Sequence, residues 1–268
     1  MVAMELKLTG KTGIVTGGSA GIGLACAGAL FREGVRVLIV GRNPQRLERA
    51  VRTIVDAGED SGGQVYTVSA DLTQAADIRR VKTEALKVLS RIDILINCAG
   101  SARAGAFFEL SDEDFLDAWE LKLLGYIRMV RAVAPHMAVR KDGRIINIIG
   151  AAGRTPPSTF LAGSTTNAAL INFTRGISQE LARDNIRINA ISPGSTATER
   201  ATQLVHQTAA AKGMSFDEVM SETVAGIPTG RMVDPSEIAD LALFLVSDRA
   251  ASITGAEILM DGGRTTGM

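Results

Sequence analysis

A glycine-rich segment near the start of the chain has the residue types and spacing of a phosphate-binding turn. Residues 16–23 read Thr-Gly-Gly-Ser-Ala-Gly-Ile-Gly, directly after an apolar run and directly before a helical pattern. In such a turn Gly17 permits the tight bend, Gly21 lets the backbone approach a pyrophosphate, and Gly23 allows close helix–strand packing. The alternative is a glycine-rich turn without a ligand. The strand-to-helix context favours a dinucleotide, whose phosphates would face the N–H groups at the helix start.

The elements that must position this turn follow from the alternation of short apolar runs with helical patterns. Because the apolar runs do not alternate with polar residues, both faces of the sheet are expected to be covered. The pattern predicts an α/β fold, a Rossmann-type doubly wound parallel sheet of about seven strands with helices on both faces. The predicted strands are residues 12–16, 35–40, 64–69, 92–96, 144–149, 186–191 and 256–260. The predicted helices are residues 21–33, 44–57, 74–90, 112–140 and 164–183.

One segment, residues 195–232, breaks this alternation. It is polar, helical in places, and lies between the last two predicted strands. Because ligands bind at the carboxyl edge of such sheets, the segment is predicted to be a substrate lid. The alternative is a surface excursion without a function. No linker, repeat or low-complexity stretch divides the chain, so residues 1–268 are predicted to form a single dinucleotide-binding domain.

Composition narrows the class of partner and the compartment. The 29 lysines and arginines balance the 29 aspartates and glutamates, so no net charge favours nucleic acid or anionic lipid. The two cysteines, Cys26 and Cys98, lie in apolar segments and indicate buried thiols in a reducing compartment. No apolar run is long enough to span a bilayer, and no signal peptide is evident. We therefore expect a cytoplasmic protein without a membrane, nucleic-acid or metal partner.

Motifs along nearly the full length resemble those of the short-chain dehydrogenases/reductases. Residues 97–100, Asn-Cys-Ala-Gly, resemble the family's Asn-Asn-Ala-Gly, and Asp71 lies where the family binds adenine. Residues 192–194, Ser-Pro-Gly, resemble the Pro-Gly motif beside the nicotinamide, and Thr198 matches the threonine that meets the carboxamide. The resemblance implies cofactor contacts from Gly17, Ser19, Gly21, Ile22, Gly23, Asp71, Leu72, Asn97, Ala99, Gly100, Pro193, Gly194 and Thr198.

The end of the second predicted strand decides the choice of cofactor. A site for NAD usually carries Asp or Glu there to bind the ribose hydroxyls. Residues 40–42 read Val-Gly-Arg, without a carboxylate, and Arg42 is able to meet a 2′-phosphate. The other basic position that some NADP-binding members use is Ala20 here. NADP(H) is therefore preferred, with NAD(H) as the alternative and a solvated Arg42 as the non-functional interpretation.

The proton-handling residues that the resemblance implies are absent. Hydride transfer needs a paired proton transfer and a stabilised oxyanion, which the family supplies with a tyrosine, a lysine four residues later, a serine and an asparagine. Neither Tyr66 nor Tyr126 is followed four residues later by lysine. Beyond Tyr126 there is no tyrosine, and the only lysines are Lys141 and Lys212. Tyr126 itself, on one helical face with Lys122, is interpreted as a core or interface aromatic residue.

All four family positions carry other residues. The resemblance places the asparagine position at Lys122, the serine at Gly150, the tyrosine at Gly163 and the lysine at Asn167. Candidate replacements are Lys122 as an acid whose pKa is lowered by desolvation, Ser164 as a hydroxyl near the lost tyrosine, and Asn167 as a hydrogen-bond partner of the cofactor ribose. For Lys122 the alternative is a helix lysine in a solvated or interface ion pair.

Three functions remain open at this stage. The first is an NADP(H)-dependent oxidoreductase that acts on a carbonyl or alcohol, a small-molecule substrate, with non-standard catalytic residues. The second is a cofactor-binding protein or sensor without redox turnover. The third is a non-redox lyase or isomerase in the same pocket. Because family members assemble through the long helices that follow the fourth and fifth strands, the resemblance also implies a homotetramer or homodimer.

Overall fold

The sheet has the doubly wound order that the sequence predicts. A computed structural model describes residues 5–58 and 61–266. Within them, seven parallel strands form one sheet in the order β3-β2-β1-β4-β5-β6-β7. Strand order reverses between β1 and β4, which places a ligand crevice at their carboxyl ends. The strands are β1 (Thr12–Thr16), β2 (Arg36–Gly41), β3 (Gln64–Ser69), β4 (Ile94–Asn97), β5 (Gly143–Ile148), β6 (Ile186–Pro193) and β7 (Glu257–Met260).

Helices cover both faces of this sheet. The helices are α1 (Gly21–Arg32), α2 (Pro44–Asp56), α3 (Ala75–Leu89), α4 (Asp112–Ala118), α5 (Gly125–Arg140), α6 (Leu161–Ala182), α7 (Glu199–Lys212), α8 (Phe216–Ala225) and α9 (Pro235–Val246). Side chains of α1, α2 and α9 form the core on one face, and those of α3, α5 and α6 form the core on the other. Among the described residues, no helix has the length and apolar character needed to cross a membrane.

The long helix predicted over residues 112–140 is interrupted in its middle. It begins with a capping box, in which the Ser111 hydroxyl accepts from the Asp114 N–H and the Asp114 carboxylate accepts from the Ser111 N–H. Between α4 and α5, however, Trp119–Leu124 forms a π-helical segment. This wider turn changes the direction of the side chains that follow it, and such turns are frequent at functional sites. Lys122 lies within this segment.

Helix α9 is not predicted from the sequence, although its start signals are present. Asp234 caps the helix by accepting from the Ser236 N–H, Pro235 occupies the first turn, and the Glu237 carboxylate accepts from the Asp234 N–H. This Asp-Pro-Ser-Glu run before apolar residues is a capping box. The helix packs against α1 and completes one face of the sheet.

The segment that breaks the strand–helix alternation folds as two helices. α7 and α8 follow the carboxyl end of β6 and pack against each other through a small cluster of their own. Val205 and Ala209 of α7 and Val219 of α8 form its buried centre. A bridge between Thr196 and Val233 closes the base of the segment. The pair of helices therefore stands at the sheet edge where the crevice opens.

The first turn of α1 packs so tightly that it requires glycine. A Cβ atom on Gly23 would lie 2.3 Å from the Gly17 carbonyl oxygen. That oxygen belongs to backbone, which cannot rotate away as a side chain can. Gly28, one and a half turns later in the same helix, has its nearest neighbour, the Arg32 guanidinium, at 3.5 Å from the corresponding position.

Alanine substitutions at these two glycines are expected to have opposite effects. Gly23→Ala should lower the free energy of unfolding by about 1–3 kcal/mol, because the methyl group overpacks the turn. Gly28→Ala should be neutral or raise it by roughly 0.5–1 kcal/mol, because alanine favours helix over the unfolded chain. Thermal unfolding of the two variants beside the parent protein measures both. Equal melting temperatures for the two variants would contradict the tight packing at Gly23.

Candidate active site

The glycine-rich turn forms a cradle suited to phosphate. Gly17 and Gly21 have positive φ angles of 68° and 52°, which favour glycine over other residues. A Cβ on Gly17 would lie 2.9 Å from the Ala99 backbone, so only glycine permits this close approach to the segment after β4. Ala20, the N-cap of α1, supplies no side-chain oxygen, and the first turn has no acidic residue. The start of α1 therefore fits the phosphates of a dinucleotide.

Hydrogen bonds tie this turn to the neighbouring strands. The Thr16 hydroxyl accepts from the N–H groups of Cys98 (3.0 Å) and Ala99 (3.3 Å). The buried Asn97 amide donates to Asn147 Oδ1 (3.0 Å), which joins the ends of β4 and β5. The ends of three strands are thus held together by side chains, and they fix the position of the crevice floor.

The far end of the crevice lies at the ends of β2 and β3. The Ser19 hydroxyl lies 3.2 Å from the position of a Cβ on Gly41, so it borders the end of β2. The next residue, Arg42, is exposed and makes no ion pair with any residue that the structure describes. Asp71 accepts from the Thr73 N–H and hydroxyl at the end of β3, and Leu72 is buried. An arginine without a carboxylate partner beside a ribose position fits a 2′-phosphate.

The four residues that the sequence resemblance aligns with the family's catalytic positions meet in one place. Lys122, Gly150, Gly163 and Asn167 all line a cavity of about 590 Å³ at the carboxyl ends of β4, β5 and β6. Four of the predicted cofactor contacts line it as well, namely Ile22, Gly100, Pro193 and Gly194. The described residues contain no cluster of three or more His, Cys, Asp or Glu that could hold a metal ion.

Lys122 reaches this cavity from the π-helical segment. Its Nζ donates to Asn167 Oδ1 (2.9 Å) and to the Ile149 carbonyl oxygen (2.5 Å). Burial lowers the pKa of Lys122 to about 8, with the Cys98 thiol acting to raise it and the Arg200 charge acting to lower it further. Burial also raises the pKa of Cys98 to about 12, so that thiol stays protonated near neutral pH. Lys122 is therefore an ammonium group able to release a proton in the mildly alkaline range.

The substitutions at the other positions fit one another sterically. A Cβ on Gly150, whose φ is 140°, would lie 2.9 Å from Asn167 Nδ2. The Asn167 amide therefore occupies space that a side chain at residue 150 would need. A Cβ on Gly163 would lie 2.2 Å from the ring of Phe160, which fills the space where a side chain at residue 163 would begin. In the cavity wall, Gly150 thus fits against Asn167, and Gly163 fits against Phe160.

Two other residues that the sequence analysis considered do not line the cavity. Ser164 is buried, its hydroxyl donates to the Leu161 carbonyl oxygen (3.2 Å), and it is not among the cavity-lining residues. The structure therefore does not bring the Ser164 hydroxyl to Lys122, because the helical path of α6 directs it to its own backbone. Tyr126 is fully buried and donates to the Ile148 carbonyl oxygen (2.9 Å), as a core residue would.

Several lining residues have no signal in the sequence. Pro156, Pro157 and Phe160 line the cavity together, and Arg200 and Arg264 join it from distant parts of the chain. These two arginines are 64 residues apart in the sequence and reach the same cavity as Lys122, so no local pattern indicates them.

Thr198 lies at the start of α7 rather than on the cavity wall. Its hydroxyl accepts from the Ala201 N–H (3.3 Å) and caps the helix. Its methyl carbon lies 3.3 Å from the position of a Cβ on Gly21, so the first residue of the α7–α8 segment stands over the phosphate turn. Thr198 thus lies beside the phosphate turn, and its contact with a nicotinamide carboxamide stays a prediction.

Comparison with known proteins places this geometry in a family. A family profile described as enoyl-(acyl carrier protein) reductase matches residues 17–265. The oxidoreductase UcpA of Escherichia coli K12 is 34% identical over 262 residues, which cover 97% of this chain and 96% of that protein. Both matches include the phosphate turn and the cavity.

Two solved structures share the fold nearly throughout. The L-sorbose reductase of Gluconobacter frateurii, in complex with NADPH and L-sorbose, superposes with a TM-score of 0.93 at 29% identity and covers 99% of this chain and 100% of its own. An NAD+-bound xylitol dehydrogenase superposes with a TM-score of 0.89 at 27% identity and covers 96% of this chain and all of its own. With the phosphate turn and the strand order, these matches show that the chain belongs to the short-chain dehydrogenase/reductase family of oxidoreductases.

Proposed function

We propose that this protein is a cytoplasmic NADP(H)-dependent oxidoreductase that interconverts a carbonyl and an alcohol, with Lys122 as its proton-handling group. The observation that carries this proposal is the placement of the Lys122 ammonium in the cavity, where Asn167 and the Ile149 carbonyl oxygen hold it. Both cysteines are free thiols, which agrees with a reducing compartment.

The cofactor half of the proposal rests on this chain's own cradle. The start of α1 and its glycines would hold the phosphates, and Arg42 would meet a 2′-phosphate. Pro193, Gly194 and Thr198 would border the nicotinamide end. Of the compared structures, the sorbose reductase binds NADPH and the xylitol dehydrogenase binds NAD+, so the preference for NADP(H) depends on Arg42.

The proposed chemistry divides between cofactor and protein. A bound nicotinamide would supply or accept the hydride at the substrate carbon. For carbonyl reduction the Lys122 ammonium donates a proton to the substrate oxygen, and its charge stabilises the negative charge that develops there. For alcohol oxidation the neutral Lys122 amine accepts that proton. Asn167 holds the amine in place. It stands at the position that the resemblance aligns with the family's lysine, so a neutral amide takes the place of a charged side chain there.

Helices α7 and α8 are proposed to act as the substrate lid, over residues 195–232. Arg200 donates to the Ser101 hydroxyl (3.3 Å) and to the Ala102 carbonyl oxygen (3.1 Å), which joins α7 to the segment after β4. A second cavity, of about 480 Å³, lies between these helices and Ile22 and shares Arg200 with the first. Contacts of this length and number can break and re-form during entry and release of ligands.

A second candidate function is a cofactor-binding protein without redox turnover. The observation in its favour is the ring of Phe160, which fills the space beside Gly163 where the family's tyrosine would begin. Under this hypothesis Lys122 and Asn167 form a structural link between helices, and the cradle of α1 is the only functional part of the crevice.

Self-association is also proposed. Large apolar side chains are exposed on and just before α4, with exposed fractions of 54% for Phe107, 96% for Phe108 and 56% for Leu116. Trp119 at the start of the π-helical segment is 37% exposed. A patch of this kind favours a homotetramer or homodimer, which would cover it.

Removal of the Lys122 amine tests the catalytic role. Lys122→Met is expected to lower kcat/KM for carbonyl reduction by about 10²-fold or more, because a positioned general acid contributes about that much. The affinity for NADPH, measured by fluorescence titration, should change little. Lys87→Met, which alters an exposed lysine of α3, is the matched control and should keep full activity.

Unchanged turnover of Lys122→Met would refute the role given to that residue. Tight NADPH binding by the parent protein, with no turnover on a broad panel of carbonyls and alcohols, would instead support the cofactor-binding alternative. Turnover of a substrate without net change in the cofactor would point to lyase or isomerase chemistry.

The pH dependence should follow the lowered pKa of Lys122. Because reduction needs the ammonium form, kcat/KM for reduction is expected to fall as pH rises through about 8. Oxidation needs the neutral amine, so its kcat/KM should rise through the same pH. Initial rates between mildly acidic and strongly alkaline pH measure both profiles. In Lys122→Arg the guanidinium does not titrate in this range, and an inflection that persisted there would assign it to another group.

The choice between NADP(H) and NAD(H) should depend on Arg42. Arg42→Ala is expected to weaken NADPH binding by roughly ten-fold or more, through loss of a charge-assisted hydrogen bond, and to leave NADH binding nearly unchanged. Arg49→Ala, on the exposed part of α2, serves as the control. Parallel fluorescence titrations with both cofactors give the result. An equal loss for NADPH and NADH would show that Arg42 does not contact the 2′-phosphate.

A further inference from the structure

Positive charge dominates the larger cavity. Among the described residues its charged lining side chains are Lys122, Arg200, Arg264 and Asp261. The Asp261 carboxylate is buried and accepts from the N–H groups of Gly263 (3.0 Å) and Thr265 (2.8 Å). Each of its two oxygens therefore accepts one hydrogen bond from the turn after β7, and three cations face the cavity against this one carboxylate.

Neither arginine of the cavity has an acidic partner among the residues that the structure describes. Arg200 donates to the Ser101 hydroxyl and the Ala102 carbonyl oxygen, and Arg264 donates to the Ser195 hydroxyl at 3.5 Å. By contrast, Arg154 and Arg231 are each paired with a glutamate, at 2.6 and 2.7 Å.

The position of these arginines separates them from the phosphate cradle. Arg264 follows β7, at the opposite edge of the sheet from β2 and β3, where Arg42 stands. Arg200 contacts the segment after β4 and lies in both cavities beneath the lid. Unpaired guanidinium groups that face a partly apolar cavity are suited to bidentate binding of a carboxylate.

We infer that Arg200 and Arg264 bind an anionic group of the substrate, and that the substrate is an oxo acid or hydroxy acid whose carboxylate is distinct from the reacting carbonyl or hydroxyl. This inference rests on the proposed oxidoreductase function for the reacting group, whereas the anion site itself does not. Lys122 meets the substrate oxygen, and the two arginines hold the carboxylate at the lid side of the cavity. Reaction at the carbonyl leaves that carboxylate unchanged.

A set of matched probes tests the anion site. The probes are straight-chain oxo acids of increasing length, from 4-oxopentanoate to 7-oxooctanoate, each compared with its methyl ester. Calorimetric titration into protein saturated with NADP+ measures binding without turnover, and a parallel assay with NADPH measures reduction. At the best chain length, the acid is expected to bind roughly ten-fold or more tightly than its ester, because hydrogen bonds to a charged group carry the difference.

Variants assign this preference to the arginines. Arg264→Gln and Arg200→Gln should each lose most of the preference for acid over ester, and Arg264→Lys should keep part of it because the charge remains. Arg79→Gln, which alters an exposed arginine of α3, should keep it fully. Melting temperatures show whether each variant is folded, and NADP+ affinity is measured on every variant.

The outcomes separate the two proposals. Acids that bind better than esters without any reduction would refute the redox function and leave the anion site intact. Equal binding of acid and ester at every chain length would overturn the anion site, whether or not the probes are reduced. A loss of NADP+ affinity in Arg264→Gln and Arg200→Gln that equals their loss of acid binding would also overturn it, since the arginines would then serve the cofactor.

Discussion

The hydrogen bond from Lys122 Nζ to Asn167 Oδ1 joins two helices across the cavity, and the arrangement of the site depends on it. Lys122 comes from the π-helical segment between α4 and α5, and Asn167 comes from α6. A buried ammonium requires acceptors, and Asn167 together with the Ile149 carbonyl oxygen supplies them. The lysine and the amide are therefore a matched pair: either one without the other would leave a polar group in the cavity wall without its partner.

The glycines at residues 150 and 163 fit the packing around this pair. The Asn167 amide occupies the space beside residue 150, so glycine is the residue that fits there. At residue 163 glycine leaves room for the ring of Phe160, which closes the wall on that side. The steric fit among Asn167, Gly150, Gly163 and Phe160 is that of a packed wall that still encloses a cavity.

Local signals predicted the sheet well, and long-range contacts explain what they missed. The glycine turn, the apolar strands and the cap at Ser111 are encoded by residues close in sequence, so their patterns are sufficient. Lys122, Gly150, Gly163 and Asn167 line one cavity because the strand and helix registers carry them there. The π-helical segment has no distinct sequence pattern, since its hydrogen bonds span only one residue more than those of an α-helix. Arg200 and Arg264 reach the same cavity because of the paths that the lid and the segment after β7 take, and no local pattern predicts those paths. The burial of Ser164 depends on which face of α6 meets the core. Helix α9 is the exception, because residues 234–237 carry a local capping signal for its start.

The methyl group of Thr198 above Gly21 has a thermodynamic consequence. A ligand phosphate at the start of α1 would lie against the first residue of the α7–α8 segment, so the ordering of those helices and the occupancy of the phosphate turn are linked equilibria. Linkage is reciprocal. If a bound dinucleotide stabilises these helices, the ordered helices raise the affinity for the dinucleotide by the same free energy. Changes in the cluster that contains Val205 and Val219 would therefore alter the affinity for a dinucleotide through the stability of the two helices.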